Sequence, residues 1–294
     1  MQFRTDLALE ERESHRCSAA PDSVRFRQKN GCRISTLTVA EDDAAVYKKP
    51  PGSYCTIELP PMSDHVDWNS DFASLLAEEL RRFLPKKGLV LVSGLGNRAI
   101  TPDALGPRTA EQVLATRHLT GELARITGQK SLRPVVSVCA DVLGNTGMET
   151  LELLTGLTRQ LHPVAVILID ALAARSPGRL GCTVQLSTGG IAPGSGVENG
   201  RPALSAAILG VPVIALGVPT VVDAASLALD LLSEAGSRFT DGMQQEISPR
   251  GLKMIVTPRE IDLLIARASR LLASGINLAL NPCFSAEEFQ QLLS

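Results

Sequence analysis

The chain has 294 residues, of which 44% are hydrophobic and 20% charged, with a formal net charge of −2. That composition belongs to a globular protein with a sizeable core, and the near-neutral charge argues against nucleic acid as a direct ligand. The charged first 16 residues contain no apolar leader segment, and the most apolar stretch, 208–222, is interrupted by Gly210, Pro212, Gly217 and Pro219, which excludes it as a membrane span.

Residues 1–50 are polar and irregular and read as an N-terminal extension. Tyr54 to Leu59 alternates as a strand does and stops at Pro60-Pro61. Residues 69–84 predict a helix, because Phe72, Leu75, Leu76, Leu80 and Phe83 fall on one stripe and Pro85 ends it. A strand over 89–95 and a helix over 104–118 follow. Then come a strand over 134–139, a helix over 148–161 and a strand over 164–169. This β-α-β-α-β succession with short links implies an α/β fold with a doubly wound, mostly parallel sheet. Further strands are expected at 182–186 and 211–216, and helices at 222–234 and 258–273. No repeat or linker divides the chain, so it reads as one domain over 1–294 with a glycine-rich excursion at 187–201.

Two aspartates stand at the ends of apolar strands. Asp103 lies in the segment TPDALGP after the first core strand, and Asp170 in IDALAAR after the third. In the flavodoxin-like order the first strand lies between the second and third, so both aspartates face one switch-point crevice, where ligands of open α/β sheets bind. Two carboxylates held close cannot both ionise easily; one keeps a proton while the other serves as a general base. A plainer role competes for each. Asp103 precedes a predicted helix and is a favoured N-cap residue, and Asp170 can cap whatever follows its strand. Asp141 ends the second strand on the far side of that order and reads as structural or as a residue acting on the pair from behind it.

The remaining motifs point away from other chemistry. The loop from Ser187 to Arg201 has five glycines but no Walker lysine and no G-x-G-x-x-G order, so it reads as a mobile connection rather than a nucleotide cradle. Ser195 is not in a G-x-S-x-G setting. The four histidines, His15, His65, His118 and His162, form no metal motif, and the last two fall near predicted helix C-termini. The six cysteines include no C-x-x-C pair; Cys139 and Cys182 sit in apolar runs and read as buried thiols of a reduced, cytosolic protein. No cofactor and no metal are expected.

At these residues the chain resembles the germination proteases of spore-forming bacteria. The resemblance is carried by RTDLA at 4–8, TPDALGP at 101–107, TGMET at 146–150 and IDALAAR at 169–175, and then by PGSGV at 193–197, LGVPVIALGVPTVVDA at 209–224 and GINLAL at 275–280. It implies an atypical aspartic endopeptidase that degrades small acid-soluble spore proteins, with Asp103 and Asp170 as the essential pair. It also implies an α/β/α sandwich similar to hydrogenase-maturation proteases, and a homotetramer made as a zymogen and acting in the cytoplasm of the spore core. Arg98, Ala140-Asp141-Val142 and Asn281 depart from the family's usual residues. The RTDLA block stands close to the first residue, which suggests a mature form or a different activation control. Two other readings compete: a hydrogenase-maturation-type protease clipping one C-terminal tail, and an inactive spore-protein-binding relative.

Overall fold

The computed structural model describes residues 5–14, 24–63, 70–119, 132–194, 201–234, 254–285 and 288. Its centre is a nine-stranded sheet. In chain order the strands are β1 (Val24–Lys29), β2 (Cys32–Val39), β3 (Gly52–Glu58), β4 (Val90–Gly94), β5 (Val135–Cys139), β6 (Ala165–Ala174), β7 (Thr183–Ser187), β8 (Val213–Asp223) and β9 (Ile255–Val256). They lie side by side as β1-β2-β3-β7-β8-β6-β4-β5, with β9 on β8. The quartet β8-β6-β4-β5 is parallel. As predicted, the first core strand (β4) lies between the second (β5) and the third (β6).

The parallel strands are apolar on both sides because both sides are covered. Side chains alternate between the faces. Val90 and Val92 of β4, with Ala165, Ile167 and Ile169 of β6, point into one core; Leu91, Val166 and Leu168 point into another. The first face is covered by α3 (Ser70–Arg81), α4 (Leu105–Ala110) and α9 (Ile261–Leu280). After the single turn α5 (Leu143–Thr146), the second is covered by α6 (Thr150–Leu161) and α7 (Ala206–Leu209). The protein is therefore an α/β fold with helices on both faces of its parallel half. Although α9 is apolar enough to cross a bilayer by composition, 72% of that window is buried within the molecule. It meets α3 closely at Gly275, where a Cβ would stand 2.6 Å from Leu76 Cδ2.

Several expectations need correction. The stretch 1–50 is not irregular in its described parts: α1 (Ala8–Ser14) and α2 (Ala44–Tyr47) flank a β1–β2 hairpin, which continues the sheet antiparallel through β3 and β7. Leu7, Ala8 and Leu9 of the terminal segment are buried. The helix expected over 104–118 ends at Ala110, because the chain then turns to pair with the sheet, Thr116 N–H donating to Val135 O at 3.1 Å. Strand β8 runs on to Asp223, so the following helix, α8 (Ala224–Glu234), starts later than predicted. The long C-terminal helix continues to Leu280 rather than 273. Cys139 is exposed, since it ends the edge strand β5, and Cys182 is only partly covered. His162 caps α6 in the left-handed conformation, whereas His118 lies in a separate short turn, 117–119. His15, His65 and Ser195 lie outside the described residues. Of the glycine-rich loop 187–201, residues 195–200 also lie outside the described residues; flanking them, Ile191 and Leu204 exchange backbone hydrogen bonds at 3.0 and 2.7 Å, and Arg201 pairs with Glu149 at 3.2 Å.

Candidate active site

The site forms where β4 stops and β6 does not. The last β4–β6 pair is Gly94 with Ile169, followed by a single Leu95 N–H to Ile169 O bond of 2.8 Å. Asp170 is thus the first residue of β6 beyond the end of β4. The strand then continues to Ala174, held by β8 on one side and by the terminal segment, whose Asp6 N–H donates to Ala173 O at 2.8 Å. Asp170 is not a helix cap; it stands inside a strand and is 6% exposed.

The chain leaving β4 folds back to bring Asp103 to the same place. Asn97 forms an Asx-type turn, its Oδ1 accepting from Ala99 N–H at 2.9 Å. Its own N–H donates to Asp103 Oδ2 at 2.7 Å. Asp103 ends a 3-10 turn (Thr101–Asp103) just before α4, but the N-cap of α4 is Ala104 and no side chain caps it. The capping role weighed from sequence is therefore not the one Asp103 has. Its carboxylate is turned to the Gly96–Asn97 loop.

Glycines make this fold-back possible. Gly96 has φ +100°, and a Cβ there would lie 2.7 Å from Asp103 Oδ1. A Cβ on Gly106, at the start of α4, would lie 2.2 Å from Leu95 O and 2.4 Å from Ile169 O. A Cβ on Gly94 would meet Gly106 O at 2.2 Å. Helix α4 thus rests directly on the backbones of β4 and β6 and carries Asp103 to Asp170. Thr220 of β8 fastens the turn from the other side, its hydroxyl donating to Pro102 O at 2.8 Å.

The electrostatics couple the two carboxyls. Burial pushes Asp170 well above the ordinary carboxylate range; the negative charge of Asp103 adds to this, then that of Asp6. Burial also raises Asp103, which the Asn97 N–H partly offsets, and the charge of Asp141 raises it further. Asp141 has φ 56° and accepts from Val142 N–H at 2.7 Å and Asn145 Nδ2 at 2.9 Å. It organises the turn after β5, and its charge also reaches Asp103. Among the described residues no group of three or more His, Cys, Asp or Glu side chains is arranged to hold a metal ion.

A cavity of about 420 Å³ lies nearby on the second face, lined in part by Asp6, Lys49, Leu172, Gln185, Ile191 and Gly217, the register partner of Asp170; neither Asp103 nor Asp170 lines it. The sequence reading missed Asp6 and Gln185 here. Asp6 lies in a quoted block but carries no motif, and Gln185 becomes visible only once the register of β7 against β8 is known.

An α/β protein with a buried carboxyl and a second, half-buried one whose charge reaches it has the equipment of an acid–base enzyme. Comparison with known proteins makes the class specific. The family model described as germination protease matches residues 4–246. The germination protease of Caldanaerobacter subterraneus subsp. tengcongensis is 40% identical, over 99% of this chain and 98% of its own. That of Clostridium perfringens is 38% identical over 99% of both chains. That of a Geobacillus species is 35% identical, over 95% of this chain and 93% of its own. A solved structure, the NiFe hydrogenase maturation protease HycI of Thermococcus kodakarensis KOD1, is similar over 69% of this chain and 98% of its own, at 18% identity and a TM-score of 0.39. The chain belongs to the germination protease family and is a peptidase.

Proposed function

We propose that this peptidase is an endopeptidase that starts the degradation of small acid-soluble spore proteins during germination, with Asp103 and Asp170 as an atypical aspartic pair. The observation that carries the reading is the convergence of these two carboxyls at the end of β4, each raised by burial and Asp170 raised further by the charge of Asp103. The pair titrates as a unit and holds one proton over part of the pH range. The more exposed Asp103 ionises first, and Asp170 keeps the proton.

In that state Asp103 takes a proton from water as the water oxygen attacks the peptide carbonyl carbon. Asp170 donates its proton to the carbonyl oxygen. As the tetrahedral species collapses, the C–N bond breaks, the amine leaves with the proton held by Asp103, and the hydroxyl returns a proton to Asp170. Each enzyme group thus ends as it began.

The family resemblance adds assembly and control to the proposal: a homotetramer in the cytoplasm of the spore core, restrained by its N-terminal segment. Light scattering at working concentration tests the assembly; a monomer there contradicts it. Digestion of a purified small acid-soluble spore protein, read as defined internal fragments, tests the activity. Removal of only a C-terminal tail, or no cleavage at all, argues for one of the competing readings.

A further inference from the structure

One row of the sheet crosses three strands at the site. Asp170 on β6 is paired with Gly217 on β8, and Gly217 is paired with Gln185 on β7. All three belong to the second face, because their neighbours Ile169, Leu216, Val218, Val184 and Leu186 point into the first-face core. At the usual strand spacing the backbones of Asp170 and Gln185 are about 10 Å apart. Between them Gly217 offers no side chain, and a Cβ there would lie 2.6 Å from both Asp170 O and Leu172 Cγ. The Leu172 side chain therefore leans over Gly217, and the row carries a carboxyl at one end and a carboxamide at the other. The cavity is lined by Leu172, Gly217 and Gln185, at the carboxamide end of this row.

The carboxamide is already holding a peptide backbone. Gln185 is 6% exposed. Its Nε2 donates to Asp6 O at 3.1 Å, and its Oε1 accepts from Ala8 N–H at 2.8 Å. Asp6 stands at a bend and Ala8 opens α1, so here the carboxamide spans a carbonyl and the N–H two residues further on; in an extended chain the same two groups lie on one edge, whatever the side chains are. A single Gln has one acceptor and two donor hydrogens and can satisfy both groups. The Ala173 backbone brackets the same segment from β6, accepting from Asp6 N–H at 2.8 Å and donating to Asp6 Oδ2 at 2.8 Å.

We propose that Gln185 is a substrate-positioning residue: its carboxamide clamps the backbone of the peptide to be cut, gripping one carbonyl and the N–H two residues on, across Gly217 from the aspartate pair. This rests on the acid-pair reading above. The terminal segment at 5–8 occupies the clamp in this structure, so substrate must displace it, and any effect of a Gln185 variant on KM mixes both occupants. A comparison of two substrates on one enzyme removes that mixture, because the segment competes equally with each.

The experiment uses synthetic peptides spanning a cleavage site of a small acid-soluble spore protein, with one backbone amide at a time, other than the cleaved one, replaced by an ester. Full-length wild type is expected to lose about tenfold in kcat/KM at one ester position, the size of one lost hydrogen bond. Gln185→Ala is expected to cleave the ester and amide peptides of that position within about twofold of each other. If Gln185→Ala fails to fold by circular dichroism, Gln185→Met keeps the side chain's length without its amide and takes its place. The same ester penalty in wild type and variant, or no penalty at any position, overturns the clamp while leaving the acid pair intact. Cleavage by Asp170→Asn protein removes the acid-pair reading and the clamp with it.

Discussion

Asp170 illustrates how a functional group is held against its own stability. Its folded-state protonation point lies above that of the unfolded chain, because burial and the charge of Asp103 both oppose ionisation. Such a group stabilises the fold below the unfolded value, and that contribution is lost as pH rises through the folded one. Asn at 170 neither ionises nor repels Asp103. Asp170→Asn is therefore expected to raise Tm at pH 8 by roughly 2–4 °C, the size of a 1 kcal/mol effect in a chain of this length. The gain should shrink towards zero at pH 4. Thermal melts of both proteins across that range check this, and an equal Tm difference at the two ends would count against a protonated Asp170. The pair was legible in sequence because each residue follows an apolar run and the strand order is constrained. Asp6 and Gln185 were not, because backbone bonds to a terminal segment leave no mark on spacing or periodicity.

Helix α4 shows where local pattern ceased to be a guide. The apolar run after Asp103 suggested a helix to 118, but the sheet claims Thr116 and the helix is six residues long. Its short length suits its task, which is to lie on β4 and β6 through Gly94 and Gly106. Gly106→Ala places a Cβ against Leu95 O and Ile169 O, contacts that only backbone movement relieves. It is expected to cost about 1–3 kcal/mol of stability, as overpacking does, and to displace Asp103. A lower urea midpoint together with reduced activity would agree; an unchanged midpoint would not. The β1–β2 hairpin escaped notice for a related reason. Much of β1 is exposed, so its side chains lack the apolar alternation that marks a half-buried strand.

For the molecule as a whole, the terminal segment is part of the packed fold. Residues 5–14 are far from a loose tail. Leu7 packs with Leu172, Ala174 and Val222, and Ala8 packs with Leu37, Tyr47 and Tyr54. Glu10 accepts from the Arg175 and Ser176 N–H groups at 2.7 and 3.0 Å, and Lys49 Nζ donates to Thr5 O at 2.8 Å. The segment lies against β6 and β7, Asp6 bonding to Ala173 and to Gln185. Deleting residues 1–16 is thus expected to raise activity on spore-protein substrates while lowering Tm, since the deletion frees Gln185 and the Ala173 backbone and uncovers buried apolar side chains. Paired activity and melting measurements separate the two effects; a truncated protein that is stable but no more active would show that the segment does not restrain the site.

In the proposed mechanism Asp103 and Asp170 together hydrolyse the peptide bond. Digestion of a small acid-soluble spore protein by wild type, Asp103→Asn, Asp170→Asn and Asp141→Asn tests it most directly, with circular dichroism confirming that each variant is folded. Both members of the pair are expected to lose about 10³-fold or more in rate, within the range for loss of an acid–base group. Asp141→Asn should stay within about threefold of wild type, because Asp141 contributes only a field at Asp103. A folded Asp103→Asn or Asp170→Asn protein that keeps a tenth or more of wild-type activity would contradict the account.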